Sequence, residues 1–123
     1  MRNLAGYYIT AAIIYAIAGM ALGIWSGLHE DFSLSPVHGH LNLVGWVSFA
    51  VYGLTFRAWP EITNSPVARF QFWTANAGAL IFIVGLYMRT TGGSAALVSL
   101  GSLIVLAGMI LFLLLVLLQM DHS

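Results

Sequence analysis

The residues of this sequence with the clearest chemical potential are two histidines, His38 and His40, in the stretch SLSPVHGHLNLVGW. Ser35 is a favourable N-cap and Pro36 a favourable first helical residue, so a helix is predicted to begin just before them. Both imidazoles then lie in its first two turns, near the positive end of the helix dipole, which favours the neutral ring. Neutral imidazole is the form that binds metals, so His38 and His40 are candidate metal ligands.

The spacing of the two histidines limits how they can act. On a regular helix, residues i and i+2 point about 200° apart and differ by only about 3 Å in height. His38 and His40 therefore cannot bind one ion together, and the sequence has no HxxxH pattern that would place two rings on one face. The other histidines, His29 and His122, are predicted in an outer loop and the C-terminal tail. A site with two histidine ligands would need a second copy of the chain. The alternative is that both rings only hydrogen-bond loop carbonyls and lipid headgroups.

The composition indicates that these histidines lie on a membrane helix. Of the 123 residues, 60% are hydrophobic and only 7% are charged, whereas about a quarter of the residues in soluble domains are charged. Four apolar segments each have about the 20 residues needed to cross a bilayer. They cover residues 5–28 (TM1), 36–58 (TM2), 70–89 (TM3) and 95–120 (TM4). The prediction is an all-α fold, with residues 1–123 forming a single domain of four transmembrane helices.

Several other classes of protein are excluded by composition. The sequence has no cysteine, which excludes disulfides, thiolate-bound metals and iron–sulfur clusters. The net charge is zero and there is no basic patch for nucleic acid. TM1 is longer than the hydrophobic part of a secretory signal peptide, so it is predicted to remain in the protein as a helix.

The arginines predict the orientation in the membrane, because the sequence contains no lysine. Four crossings put Arg2, Arg57 and Arg69 on one side and Arg89 on the other. The positive-inside rule then places both termini in the cytoplasm, and the expected location is the cell inner (plasma) membrane.

Two further patterns concern helix packing. TM1 has small residues along one face, at Ala12, Ala16, Gly19, Gly23 and Gly27. In lipid, such a stripe allows another backbone, or a flat cofactor, to approach closely. At the start of TM3, Phe70, Phe72 and Trp73 are predicted to join the aromatic belt at the inner interface.

The segment HGHLNLVGWVSFAVYGLTFRAWP resembles segments of the haem–copper oxidase superfamily, which includes cytochrome c oxidases and nitric oxide reductases. Subunit I of that family has twelve helices in three four-helix arcs with pseudo-threefold symmetry. The second helix of each arc carries metal-binding histidines, and one of them has a His-x-His whose imidazoles bind two different haems from opposite faces. The resemblance implies that this chain is a single arc, with His-Gly-His at the start of its second helix.

The same resemblance implies roles for individual residues. His40 would correspond to the low-spin haem ligand, and His38 to the ligand on the other face. Arg89, at the outer end of TM3, would stand where the family has arginines that contact haem propionates; the alternative is an interfacial arginine that reaches the headgroups. Gly45 would give the macrocycle room. Three copies could rebuild the twelve-helix ring, so a homotrimer is expected, with haem b between His38 of one protomer and His40 of a neighbour.

The sequence lacks parts of the family's oxygen-reducing centre. The oxidases need three histidines for copper and a tyrosine linked to one of them. Here the positions four residues after His38 and His40 are Asn42 and Val44, and Tyr52 lies three turns deeper. One chain cannot assemble the binuclear centre, so reduction of O2 to water is not expected, and whether the protein is an enzyme is left open.

These observations favour a haem-b-binding membrane protein that transfers electrons or binds NO or O2. One alternative is a copper-binding membrane protein without haem, with neutral imidazoles meeting at a threefold axis. Another is an accessory subunit of a respiratory complex, whose His-Gly-His is only interfacial. The sequence identifies neither a redox partner nor a substrate.

Overall fold

The computed structural model describes residues 3–121, which are helical apart from short connections. The elements are α1 (Leu4–His29), α2 (Ser35–His40), a π-helical segment (Leu41–Val47), α3 (Ser48–Ala58), a 3-10 helix (Pro60–Asn64), α4 (Pro66–Thr90) and α5 (Ala96–Asp121). The prediction of an all-α fold is confirmed for this part of the chain. Arg2, which entered the orientation prediction, and His122, placed in the tail, lie outside the described residues.

Three helices, α1, α4 and α5, are each long and apolar enough to cross a membrane. Each has 25 or 26 residues and is therefore about 38 Å long, which exceeds the roughly 30 Å of a bilayer's hydrocarbon core. These features indicate a membrane protein. The remaining predicted span, residues 36–58, is helical but divided into α2, the π-helical segment and α3, each of them shorter than a membrane crossing.

We call α2, the π-helical segment and α3 together the second rod, because the backbone remains helical through both junctions. His40 and Val47, which precede the junctions, have right-handed helical φ and ψ angles. In a π helix, backbone hydrogen bonds join residues that are five apart in the chain. The Ser48 hydroxyl spans the same interval, because it donates to the carbonyl of Leu43 at 3.0 Å. The π-helical segment was not predicted. It begins directly after His40, and such segments are frequent at functional sites.

The start of the second rod also differs from the prediction. The helix begins at Ser35, and no side chain caps it. The Ser35 hydroxyl instead donates to the carbonyl of Phe32, at 2.8 Å. Pro36 remains in the first turn, where its missing N–H has no intrahelical partner to lose.

Helices that follow one another in the chain pack side by side. α1 lies along the second rod, α4 lies along α5, and the second rod meets α4. Glycines allow the close α4–α5 contact. A Cβ added at Gly78 would lie 2.8 Å from the backbone N of Val105, and one added at Gly101 would overlap the backbone of Phe82. Neighbours in the chain are therefore neighbours in space, and α1 also contacts α4 directly, where Tyr8 meets Gln71 and Phe72.

The main buried core lies in one half of the bundle, where α1 begins and α3 ends. It consists of Leu4, Tyr8, Ala12, Phe49, Tyr52, Phe56, Ile62, Ala68, Phe72, Ala75, Ala79 and Leu115. We call this half the aromatic end. The opposite half, formed by α2, the last turns of α1 and α4 and the first turns of α5, carries the two histidines, and we call it the histidine end.

Candidate functional site

His38 is held against α1. Its Nδ1 lies 2.7 Å from the carbonyl oxygen of Gly19. Because a carbonyl only accepts hydrogen bonds, Nδ1 carries a proton and donates it, so in the neutral tautomer the lone pair is on Nε2. Gly23 makes room for the ring, since a Cβ added there would lie 2.8 Å from Cε1 of His38. The orientation of His38 is thus set by another helix.

His40 lies on a different side of α2. Its Nδ1 is 2.8 Å from the carbonyl oxygen of Pro36, one turn earlier in the same helix. Its ring contacts Phe82 on α4, with ring centroids 5.1 Å apart. The carbonyl again assigns a proton to Nδ1, so in the neutral tautomer the lone pair is on Nε2. The two imidazoles therefore contact different helices, as their i, i+2 spacing predicts.

Both imidazoles have the hydrogen-bonding arrangement of metal ligands. A ligating histidine usually donates its other ring N–H to a carbonyl or carboxylate, which fixes the tautomer and the orientation of the ring. Within residues 3–121, the Nε2 atom of neither ring has a hydrogen-bond partner. Both rings are half-buried. In the same part of the chain, no group of three or more His, Cys, Asp or Glu side chains is placed to hold a metal ion.

Gly19 and Gly23 of the predicted TM1 stripe pack against the second rod, whereas Gly27 is exposed and a Cβ added there would contact nothing within 4 Å. A Cβ added at Gly19 would lie 2.7 Å from Nδ2 of Asn42, which donates to the carbonyl of His38 at 2.9 Å. The space beside Gly45, assigned above to a macrocycle, is filled by the ring of Tyr15. Gly45 thus contributes to the contact between α1 and the second rod.

Arg89 lies exposed in the last turn of α4, at the histidine end. It follows Phe82 by seven residues, nearly two full turns, so the two residues share one face of α4 about 10 Å apart. Phe82 is the residue that contacts His40. Arg89 is therefore on the same face of α4 as the His40 contact, nearer the helix end. Its guanidinium has no ion-pair partner among the described residues.

A buried polar chain at the aromatic end was missed by the sequence analysis. The Tyr8 hydroxyl donates to Oε1 of Gln71, and Nε2 of Gln71 donates to the carbonyl of Gly108, at 3.3 Å. Tyr8 and Gln71 are both 0% exposed, and the chain joins α1, α4 and α5. The sequence did contain a signal for this chain, since Gln71 is a lone amide between two aromatic residues of an apolar segment. A polar side chain at that depth needs a hydrogen-bond partner.

The aromatic residues around Gln71 divide between the surface and the core. Phe70 and Trp73 are exposed, as expected of an aromatic belt. Phe72 is instead buried against Tyr8, with ring centroids 5.0 Å apart. The prediction that all three lie at the interface is therefore wrong for Phe72. The cause is the turn of about 100° per residue in α4, which points Phe72 about 200° away from Phe70 and about 100° away from Trp73.

Ser26 is a second polar residue that the sequence analysis missed. It is 4% exposed, and its Oγ is the one buried side-chain N or O atom without a hydrogen-bond partner in the described part of the chain. It shares a helical face with Gly19 and Gly23, the glycines that meet Asn42 and His38. A buried hydroxyl without a partner calls for an explanation, such as a bound water or ligand.

The loop after α1 is organised by its own side chains. The His29 ring stacks on Trp25, and its Nδ1 lies 2.9 Å from the Trp25 carbonyl oxygen. The Ser33 hydroxyl and backbone N–H both donate to Asp31, at 2.7 and 3.0 Å. These bonds, from the hydroxyl first, lower the pKa of the Asp31 carboxyl. His29 has the same bond to a carbonyl four residues earlier as His40, but it is exposed, so it is a natural control for His40.

No known family model, curated protein or solved structure matches the chain significantly. The resemblance to the haem–copper oxidases accordingly depends on the His-Gly-His segment and on the helical layout.

Proposed function

We propose that the protein is a membrane haem b protein in which His38 of one protomer and His40 of a neighbour bind the haem iron. The observation that carries this proposal is the state of the two rings. Each donates Nδ1–H to a backbone carbonyl, at 2.7 Å for His38 and 2.8 Å for His40, and the Nε2 atom of each has no hydrogen-bond partner in residues 3–121. Two oriented imidazoles on different sides of one helix suit ligation of two separate iron ions in a symmetric assembly.

Of the two other residues expected near the haem, Arg89 suits its expected role and Gly45 does not. Arg89 is suited to bind a propionate, because a guanidinium pairs with a carboxylate through two parallel hydrogen bonds and Arg89 lies on the face of α4 that meets His40. Gly45 offers no space while Tyr15 packs against it. When bound, haem would supply a one-electron redox couple or, with a coordination position open, a site for NO or O2.

The surface below His40 supports a contact between protomers. His40 is followed along the second rod by exposed Leu43, Val47, Val51 and Leu54. Their spacing of three or four residues forms one stripe that can face lipid or another protomer. Helices that are consecutive in the chain also pack against each other. This arrangement is compatible with one arc of a twelve-helix ring built from three copies.

The proposal includes a membrane topology. The second rod is about 35 Å long at about 1.5 Å per residue, enough for a fourth crossing. Arg57 lies in the last turn of α3 and Arg69 in the first turn of α4, both at the aromatic end, whereas Arg89 is at the histidine end. The positive-inside rule then puts the aromatic end and both termini in the cytoplasm, with the histidine end on the outer side of the inner membrane.

Absorbance spectra test the haem proposal. We expect protein purified in mild detergent from haem-replete cells to show Soret and α bands that sharpen on reduction with dithionite. His38→Ala and His40→Ala should each abolish or shift these bands, because each removes one iron ligand. His29→Ala is the matched control and should leave them unchanged. A colourless wild-type protein, or equal spectra for all three variants, would contradict the proposal.

A copper site is the second candidate, and the placement of His40 favours it. His40 heads the exposed stripe, so three copies could converge at a threefold axis and offer three neutral imidazoles, which suit copper. Metal analysis of the same samples would then find copper that is lost in His40→Ala and kept in His38→Ala. A protein with neither haem nor copper would instead be consistent with an accessory subunit.

A further inference from the structure

A groove at the aromatic end combines a polar rim with an apolar floor. It lies between the 3-10 helix and the last turns of α5, and it encloses about 240 Å³. Its lining residues are Glu61, Ile62, Ser65, Leu115, Leu118 and Gln119. The floor is apolar and buried, since Ile62 is 4% and Leu115 2% exposed.

The rim of the groove has hydrogen-bonding groups without partners inside the described part of the chain. The carboxylate of Glu61 has no ion-pair or hydrogen-bond partner there. The Ser65 oxygen accepts from the backbone N–H of Val67, at 3.1 Å, which leaves its hydroxyl hydrogen available to an acceptor. The Gln119 amide has two N–H donors, neither of which bonds to a described residue. One anion and two neutral donors therefore surround an apolar floor.

The position of the groove determines which molecules it meets. The 3-10 helix connects the second rod to α4, so in a membrane this groove lies at the level of the lipid headgroups. We propose that the groove binds a phospholipid whose headgroup carries a primary ammonium, as in phosphatidylethanolamine. The ammonium pairs with Glu61, the phosphate accepts from Ser65 and Gln119, and the acyl chains run along Leu115 and Leu118.

The chemistry of the rim selects among lipids. A choline headgroup has a cation but no N–H to donate to Glu61, and a glycerol headgroup has no cation, so both lose the charge-assisted hydrogen bond. The volume favours a headgroup over a larger occupant, because pockets for drug-sized ligands enclose about 300–1,000 Å³. This inference needs only a membrane location and is independent of haem binding.

Native mass spectrometry of the detergent-purified protein tests the inference. The probes are phosphatidylethanolamine, phosphatidylcholine and phosphatidylglycerol with identical acyl chains. We expect the wild type to bind phosphatidylethanolamine at least about tenfold more tightly than the other two, the ratio expected of one charge-assisted hydrogen bond. Glu61→Gln should remove this preference, while Glu30→Gln, an exposed glutamate at the opposite end, should keep it.

A second variant separates the two parts of the headgroup. Gln119→Leu should weaken binding of all three lipids while preserving the preference for phosphatidylethanolamine, because it removes a donor to the phosphate. A wild type without headgroup preference, or an unchanged preference in Glu61→Gln, would overturn the inference. The wild type could instead show no lipid preference but copurify with a cationic protein that Glu61→Gln no longer binds. That result would overturn the inference in favour of a protein partner.

Discussion

The aromatic end and the histidine end of the bundle are held together by different kinds of contact. At the aromatic end, the Tyr8 ring packs against Phe49, Tyr52, Phe56 and Phe72, with ring centroids 5.0–5.6 Å apart. At the histidine end, Gly19 and Gly23 of α1 leave room for the polar side chains of Asn42 and His38. Large rings bury the most area and contribute most to stability, so the aromatic end should stabilise the fold.

The two ends also differ in how their polar groups are satisfied. At the aromatic end, the buried amide of Gln71 bonds both to Tyr8 and to the carbonyl of Gly108. At the histidine end, the Nε2 atoms of His38 and His40 and the hydroxyl of Ser26 have no partner in residues 3–121. Groups left without partners in a folded protein are common at functional sites. The comparison indicates that the aromatic end provides most of the stability and that the histidine end provides the candidate haem site.

Tyr8→Ala should have the largest effect on stability. It removes a fully buried ring and leaves Oε1 of Gln71 without its donor, so we expect the free energy of unfolding to fall by about 3–5 kcal/mol. Equilibrium unfolding in mixed detergent micelles measures this change. Tyr7→Ala is the matched control, because Tyr7 is 52% exposed and should lose far less. Equal losses in the two variants would mean that the aromatic end does not depend on its buried core.

Gly23→Ala tests the close contact at the histidine end. The new methyl group would lie 2.8 Å from Cε1 of His38, so we expect a loss of about 1–3 kcal/mol together with displacement of the ring. Gly27→Ala is the control, because a Cβ there has no neighbouring atom within 4 Å. Alanine is the better helix former by up to about 1 kcal/mol, so this control should be neutral or stabilising. The same unfolding assay gives both values, and a harmless Gly23→Ala would show that His38 is not held in place by α1.

Ser26→Ala should have the smallest effect. Its buried hydroxyl has no partner, so removing it eliminates a cost of burial and should change the free energy of unfolding by no more than about 1 kcal/mol, in the stabilising direction. A clear destabilisation in the same assay would show that Ser26 has a partner in the membrane-embedded protein, such as a water, a ligand or another chain.

Much of the fold could be predicted from the sequence because its signals are local. The apolar runs are long enough to form membrane helices, and Pro60, Pro66 and the Gly92-Gly93 pair interrupt them. The π-helical segment could not be predicted in this way. Its residues Asn42 and Gly45 pack against Gly19 and Tyr15 of α1, and such contacts between distant parts of the chain are not visible in a local sequence pattern.

The candidate site, like the fold, could be predicted from the sequence only in part. His38 and His40 both lie in α2, before the π-helical segment, so the geometry of a regular helix correctly predicts that their rings contact different helices. The partners of the rings, the carbonyl of Gly19 and the ring of Phe82, could not be predicted because they depend on helix packing. The Tyr8–Gln71 pair was missed for the same reason.

Complementation between two inactive variants tests the central claim most directly. If each haem lies between His38 of one protomer and His40 of the next, chains with His38→Ala and chains with His40→Ala should rebuild intact sites when they are coexpressed. In a cyclic trimer with random mixing, about one quarter of the interfaces receive both histidines. We therefore expect the mixture to show the wild-type reduced α band at about one quarter of its intensity, and neither variant alone to show a band at the wild-type position. No recovery from mixed assemblies, alongside a wild type that binds haem, would contradict the account.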